Sequence, residues 1–356
     1  MKKIGILTFH NAINYGATLQ ATALRKTLLN RSVGSVDFLS YENPAIQSTS
    51  KLFDFSEVFS LKYTLAHIYN LPEAIKRLSN FKNFWKKHLS FGSNNPNEYD
   101  LVITGSDQVW NYTLTNNDWF YFLDFEKQNT KKVAYAASFG LSQIDDTHKE
   151  KMTELFSDFD HLSVREKTAS NIIESLVHIA PPVVLDPTLL LDKDDWTEYS
   201  DKSYKTKGYI FVYTIHYSDT VWEYAQKLSV MTGLPIKTIS YSKFHKQNAE
   251  YDFTAGPDKW LSYIMNADYV VTNSFHGLAF SINFEKNFFF DLPSEKLGVG
   301  SRLLDITERY ALSDRNISGN NFTPTTKAPD YTIKRAMLSK DRKSSIEFID
   351  SFLTNK

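Results

Sequence analysis

The stretch DYVVTNSFHGLAFSINFEKNFFF, residues 268–290, constrains the fold more than any other. An apolar, β-branched run at 269–271 enters the polar residues Thr272, Asn273 and Ser274, and residues 277–284 then repeat apolar side chains at helical spacing. That is a strand, a turn and a helix. The N–H groups left unpaired at such a helix start attract anions, and Asn273, Ser274 and His276 are set to point at the same spot. The plainer alternative is a helix cap at Asn273 or Ser274 and a histidine without a chemical role.

The same succession recurs along the chain. An apolar run at 4–9 is followed by HNAINYG and by an amphipathic helix over 17–29. Asn14 and Tyr15 are candidate hydrogen-bond donors in that loop, and Gly16 either lets backbone approach a ligand or simply turns the chain. Residues 99–104, YDLVIT, read as a buried strand ending in Gly105-Ser106-Asp107-Gln108, with Trp110 behind. Asp107 is suited to proton transfer or to a sugar hydroxyl and Trp110 to stacking on a sugar ring; a cap and a core filler are the alternatives. Strands are expected at 36–39, 132–137, 161–164, 183–185, 208–216 and 235–240, and helices at 147–156, 221–231, 257–265 and 341–353. Arg165, at the carboxyl end of the 161–164 strand, is placed to grip a carboxylate or phosphate with two N–H groups, with a salt bridge as the alternative.

Alternating strands and helices on both sides of the charged stretch 192–208 predict an α/β protein. Two Rossmann-like domains face each other across a cleft, residues 1–190 and 205–330, with a final helix in 331–356. A length of 356 residues suits two cores. Charge narrows the function classes further: 40 basic against 41 acidic residues give no electrostatic case for nucleic acid. Without cysteine there is no disulfide, thiolate metal site or cysteine nucleophile, and the nine histidines lack paired ligand spacing, so no metal is expected. Neither a signal peptide nor a membrane-spanning run is read, which makes a cytoplasmic protein the expectation. The basic, aromatic region 51–90 reads either as an amphipathic surface for the inner membrane face or as a solvated helix over core.

Six blocks in order carry a resemblance: NYGATLQATAL, YDLVITGSDQVWN, KKVAYAASFG, SVREKTAS, VLDPTLLL and ADYVVTNSFHGLAFSINFEKNFF. Together they resemble the polysaccharide pyruvyl transferase family over most of the chain. The resemblance implies a glycosyltransferase-B-like fold, with the last helix returning to the first domain. It implies no cofactor, phosphoenolpyruvate as donor, and a sugar acceptor, lipid-linked, nucleotide-linked or polymeric, on which a pyruvate ketal forms with release of phosphate. His276 resembles the family's SFHG histidine and is expected to act as acid, base or both. Arg165 resembles the family's motif arginine and is expected to be catalytic with His276 and to grip the donor; Asn273, Ser274 and Gly277 also fall on the donor side, and Asn14, Tyr15, Gly16, Asp107, Gln108 and Trp110 on the acceptor side. A nucleotide-sugar-dependent glycosyltransferase is the rival expectation for such a two-domain cleft, and a non-enzymatic sugar-binding protein the second.

Overall fold

The computed structural model describes residues 2–31, 34–48, 61–243, 247–292, 300–319 and 323–354. Two parallel five-stranded sheets organise them. The first comprises β1 (Lys3–Leu7), β2 (Ser35–Phe38), β3 (Leu101–Thr104), β4 (Lys131–Ala137) and β5 (His161–Val164), in the order β2-β1-β3-β4-β5. The second comprises β6 (Ile210–Tyr213), β7 (Ile236–Ile239), β8 (Glu250–Asp252), β9 (Tyr269–Thr272) and β10 (Asn287–Phe290), in the order β10-β9-β6-β7-β8. Both orders reverse at a switch point, between β1 and β3 and between β6 and β9, so each sheet opens a crevice beyond its strand ends.

The strands are short apolar runs because parallel strands covered on both faces bury every side chain. β3 and β6 are buried throughout. β8, with the sequence EYD, escapes the sequence reading because it is a polar three-residue edge strand. Side-chain caps fix the helix starts at both switch points. Asn14 accepts from the Ala17 N–H ahead of the helix Tyr15–Leu29, and Ser274 accepts from the Gly277 N–H ahead of Phe275–Asn283.

Tyr15 and the helix Leu61–His88 join the halves. Tyr15 stacks on Trp260 at 5.7 Å and donates its hydroxyl to the Ala255 carbonyl at 3.0 Å. The helix Leu61–His88 buries Phe81, Phe84 and Trp85, and Trp85 Nε1 donates to Thr18 Oγ1 at 3.1 Å. Across the domain boundary its Arg77 donates to the Phe253 carbonyl at 2.9 Å and Asn80 to that of Thr254 at 2.7 Å. Of the region read as basic and amphipathic, residues 51–60 lie outside the described residues. From Phe81 onward its apolar face is spent on core, and Lys76, Lys82, Lys86 and Lys87 remain exposed. No helix among the described residues is long and apolar enough to cross a membrane.

The last helix, Tyr331–Leu353, begins ten residues before the amphipathic run 341–353 and returns to the first domain. Its Asp350 takes a two-pronged ion pair from Arg31 at 2.6 and 2.7 Å, and Ser345 Oγ accepts from the Leu185 N–H at 3.0 Å. On the other side Arg335 pairs with Glu285. The charged stretch 192–208 contains the short helix Lys193–Thr197, whose Trp196 is fully buried and donates Nε1 to the Thr188 carbonyl at 3.1 Å.

Candidate active site

The ends of β3, β5 and β9 converge on a buried ionic cluster. Arg165 follows β5 directly, and its Nη1 donates to Asp186 Oδ2 at 2.9 Å. Its Nη2 lies 3.6 Å from Asp107 Oδ1 and its Nε 3.7 Å from Glu166 Oε2. The guanidinium also sits 4.6 Å from the centre of the Phe275 ring, a cation over an aromatic face. From the second domain His276, one residue into its helix, brings Nε2 to 3.8 Å from Asp186 Oδ2. On its other side the imidazole rests on Gly16, where any β-carbon would overlap the ring. A histidine of one domain is thus seated on the backbone of the other.

Asp186 is the hub. Its Oδ1 accepts from the Thr188 N–H at 3.0 Å and the Thr188 hydroxyl at 2.7 Å; its Oδ2 accepts from Arg165 and shares the Ser106 hydroxyl, at 3.0 Å, with the Ala136 carbonyl at 2.9 Å. Burial pushes this carboxyl up, but the charges of His276 and Arg165 and the Thr188 hydrogen bonds outweigh it and hold it below the usual range. Burial lowers Arg165 in the same way, and its three carboxylate neighbours more than restore it. For His276 burial wins: its pKa lies below the ordinary value although Asp186 and Asp107 pull upward. Burial also dominates at Glu166, which is raised in spite of Arg165, Arg302 and the hydrogen bond from Ser138 Oγ at 2.7 Å.

A cavity of about 330 Å³ opens beside the cluster, between residues 165–189 and the helix Gly300–Arg309. Arg165 and Arg302 border it, with Val184, Leu189, Phe275 and Ile306 forming apolar wall. Arg302 is buried and forms no salt bridge among the described residues; burial, then repulsion from Arg165, lowers its pKa to about 10, so it stays charged at neutral pH. Arg165 Nε and Nη2 and Arg302 Nε are buried without a hydrogen-bond acceptor. Glu166, Asp186, Asp305 and Glu308 line the cavity too, so the two guanidinium groups, with N–H not taken up by hydrogen bonds, offer a compact anion a site set among carboxylates.

The other residues picked out in the sequence lie as follows. Asp107 joins the cluster through Arg165, in a left-handed backbone conformation with φ 75°. Asn273 does not reach the cavity with a free amide: its Oδ1 accepts from the Ile215 N–H at 2.9 Å and its Nδ2 donates to the His216 carbonyl at 2.8 Å, which clamps the loop after β6. Ser274 is consumed as the helix cap, and Gly277 is held close to Thr272, 2.5 Å from the position of an added β-carbon. Asn14 caps its helix, and Tyr15 is committed to Ala255 and Trp260. Gln108 accepts from Asn111 Nδ2 at 3.1 Å. Trp110 requires a correction: it is fully buried among Phe122, Phe139 and Phe156, and no ring face is left for a sugar.

Asp186, Glu166 and Arg302 were not singled out in the sequence. Asp186 and Glu166 carried a weak signal, since both stand at the polar end of an apolar run. Arg302 carried none, because its burial comes from packing against other elements, Phe275 among them, and not from its own local sequence. Among the described residues no group of three metal-ligating side chains is assembled.

Among solved structures, the S. aureus MnaA–UDP co-structure is 13% identical, covers 82% of this chain and 79% of its own, and superposes with a TM-score of 0.45. The UDP-GlcNAc 2-epimerase of Methanocaldococcus jannaschii, in complex with UDP-GlcNAc and UDP, is 10% identical over 99% of this chain and 92% of its own, with a TM-score of 0.44. Arabidopsis thaliana UGT89C1, complexed with quercetin, is 12% identical over 99% of both chains, with a TM-score of 0.46. No curated protein matches the sequence. The family model for polysaccharide pyruvyl transferase matches residues 14–290, a span that begins at the cap of the first switch-point helix, takes in Arg165, Asp186 and His276, and ends with β10. The chain therefore belongs to the polysaccharide pyruvyl transferase family, and it is a transferase.

Proposed function

We propose that this transferase moves the pyruvyl group of phosphoenolpyruvate onto two hydroxyls of a sugar in a cell-surface polysaccharide or its precursor, forming a cyclic ketal and releasing phosphate. The observation that carries this reading is the pair Arg165 and Arg302 on one cavity: Arg302 Nε has no acceptor, and Arg165 Nε and Nη2 stand beyond hydrogen-bond distance of Glu166 and Asp107. Phosphoenolpyruvate carries a carboxylate and a phosphate on a three-carbon unit, so two fixed guanidinium groups suit it better than one. In the reaction C2 gains two bonds to sugar oxygens and loses its bond to the phosphate oxygen. One hydroxyl proton ends on C3, which becomes a methyl group, and the other leaves with phosphate. His276 is the residue we assign to the first of these transfers, as base toward the hydroxyl, acid toward C3, or both in turn.

On this reading the donor is held by the two arginines rather than by Asn273 and Gly277, since the Asn273 amide is already spent on the β6 loop. The acceptor approaches from the first domain, over Gly16 and the Gly105–Gln108 turn. No cofactor is required. We place the reaction in the cytoplasm, with the exposed lysines of the helix Leu61–His88 available to the inner membrane face should the acceptor be lipid-linked.

The test is to incubate the protein with phosphoenolpyruvate and a panel of free, nucleotide-linked and lipid-linked sugars, following phosphate release and the mass of the acceptor. Phosphate release that depends on acceptor, with a ketal on the sugar, is the expected result. Inert phosphoenolpyruvate together with nucleoside diphosphate release from a nucleotide sugar would replace this reading by glycosyl transfer. Binding of sugar without any turnover would leave a sugar-binding protein.

A further inference from the structure

The ionic cluster holds one group for which the reaction just described gives no task. Asp186 borders the cavity and bonds to Ser106 on the acceptor side, and it is the most heavily hydrogen-bonded carboxylate of the site. Thr188 fixes one of its oxygens twice, through N–H and hydroxyl, and Ser106 and Arg165 both donate to the other. His276 Nε2 faces that second oxygen at 3.8 Å, buried and with no hydrogen-bond partner. We infer that Asp186 is the positioning residue of the reaction: it holds Arg165 and His276 in register and stabilises the imidazolium that forms when His276 takes a proton. The inference rests on the assignment of His276 to proton transfer.

Three physical points support it. A carboxylate whose torsion is fixed by Thr188 cannot swing away, so its charge stays aimed at the imidazole through the catalytic cycle. The remaining gap of 3.8 Å is about one ångström longer than a charged hydrogen bond, a distance a small ring movement closes when the ring gains charge. A carboxylate opposite Nε2 also favours the proton on that nitrogen, which leaves Nδ1, on the Gly16 side, as the basic atom of the neutral ring. The first domain, where the acceptor is expected, lies on that side.

The charges around His276 decide the sign of the effect. Asp186 and Asp107 raise its pKa; burial, Arg165 and Arg302 lower it; and Tyr15, on the helix beneath the ring, donates to the Ala255 carbonyl. Asparagine in place of Asp186 removes one raising charge and leaves both arginines less compensated, so the titration of His276 must move to lower pH.

The experiment is a nitrogen-15 NMR titration of His276 in the full chain labelled at histidine, comparing wild type, Asp186→Asn and Thr188→Val, with His276→Gln assigning the signal. Asp186→Asn is expected to lower the midpoint by about one pH unit or more, the order of shift an adjacent opposite charge produces. Thr188→Val should lower it less, in the same direction, and kcat of Asp186→Asn should fall about tenfold or more. A folded Asp186→Asn with an unmoved midpoint overturns the inference, and so does an unmoved midpoint in Thr188→Val if the asparagine variant does not fold. The titration needs no donor. A shifted midpoint in a protein that leaves phosphoenolpyruvate untouched would therefore sink the proposed reaction and leave only the charge coupling of Asp186 to His276.

Discussion

Gly16 and His276 belong to different domains and different helices, and the imidazole of the second occupies the space where a side chain on the first would stand. Gly16 lies in the first turn of a helix, where alanine by propensity alone is better by about 1 kcal/mol. The contact reverses that sign. A β-carbon on Gly16 would drive the ring off its seat toward Phe275, whose ring lies 5.3 Å away, and into the 3.8 Å gap before Asp186, and overpacking of this kind costs about 1–3 kcal/mol. We expect Gly16→Ala to lower the melting temperature modestly and turnover severely, by about 10²-fold if the ring moves by an ångström. Unchanged turnover at a normal melting temperature would mean that the ring is free to move.

Arg302 offers a second prediction with opposite effects on stability and binding. A buried guanidinium without a salt bridge among the described residues is an expense to the fold, and a group of similar size without charge relieves it. Arg302→Met is therefore expected to melt at the same temperature as the wild type or higher. Its affinity for phosphoenolpyruvate should fall by about 1.5–3 kcal/mol, the range for hydrogen bonds to charged groups. Calorimetry and thermal melting on one preparation test both halves. A destabilised variant with intact affinity would make Arg302 a structural residue.

The two sheets were legible because a parallel strand covered on both faces must be an apolar run, and residues 4–7, 101–104 and 269–272 are such runs. The strand-end rule then found Arg165 and His276, since the polar residues that interrupt those runs are the ones a crevice collects. It had no means of separating a side chain that enters the crevice from one that turns back. Asn273 and His276 are three residues apart, yet one is tied to backbone and the other reaches the cluster. Tyr15 and Trp110 are aromatic residues beside polar turns, and their rings went to the domain interface and the core because nearby aromatic partners, Trp260 and Phe156, came from distant sequence. Arg302 was invisible for the same reason: its burial is a property of assembly, which no local pattern records.

Trp110 gives a third prediction. Packed edge-on to Phe156 at 4.9 Å and near Phe122 and Phe139, it contributes to stability and has no exposed face for a ligand. Replacing it with phenylalanine leaves a void and an apolar lining, so a loss of about 1–3 kcal/mol is expected, at the lower end of large-to-small core changes. The folded fraction should keep its turnover and its acceptor KM. A rise in acceptor KM at constant donor KM would return Trp110 to the acceptor site.

The last prediction concerns acid. His10 is buried at the end of β1, between Phe38 and Phe91, with Nδ1 2.9 Å from the Thr8 carbonyl. Burial lowers its pKa from 6.5 to about 4, against the weaker upward pull of that hydrogen bond. The folded state thus binds this proton less readily than the unfolded chain, and stability rises with pH across the interval between the two values. Its contribution is complete above about pH 6.5, is lost as pH falls toward 4, and changes no further below that; the whole shift is worth at most about 3 kcal/mol. His88, half-buried and also lowered to about 4, acts in the same direction, so removing His10 alone flattens only part of the slope. Urea unfolding of wild type and His10→Gln at pH 7, 5.5 and 4.5 measures it. Glutamine keeps a donor for Thr8 and carries no titratable proton, so the stability gap between the two proteins should narrow or reverse toward pH 4.5. Parallel curves across that range would show that His10 takes up its proton equally well in the folded and unfolded chain, and would contradict the burial seen here.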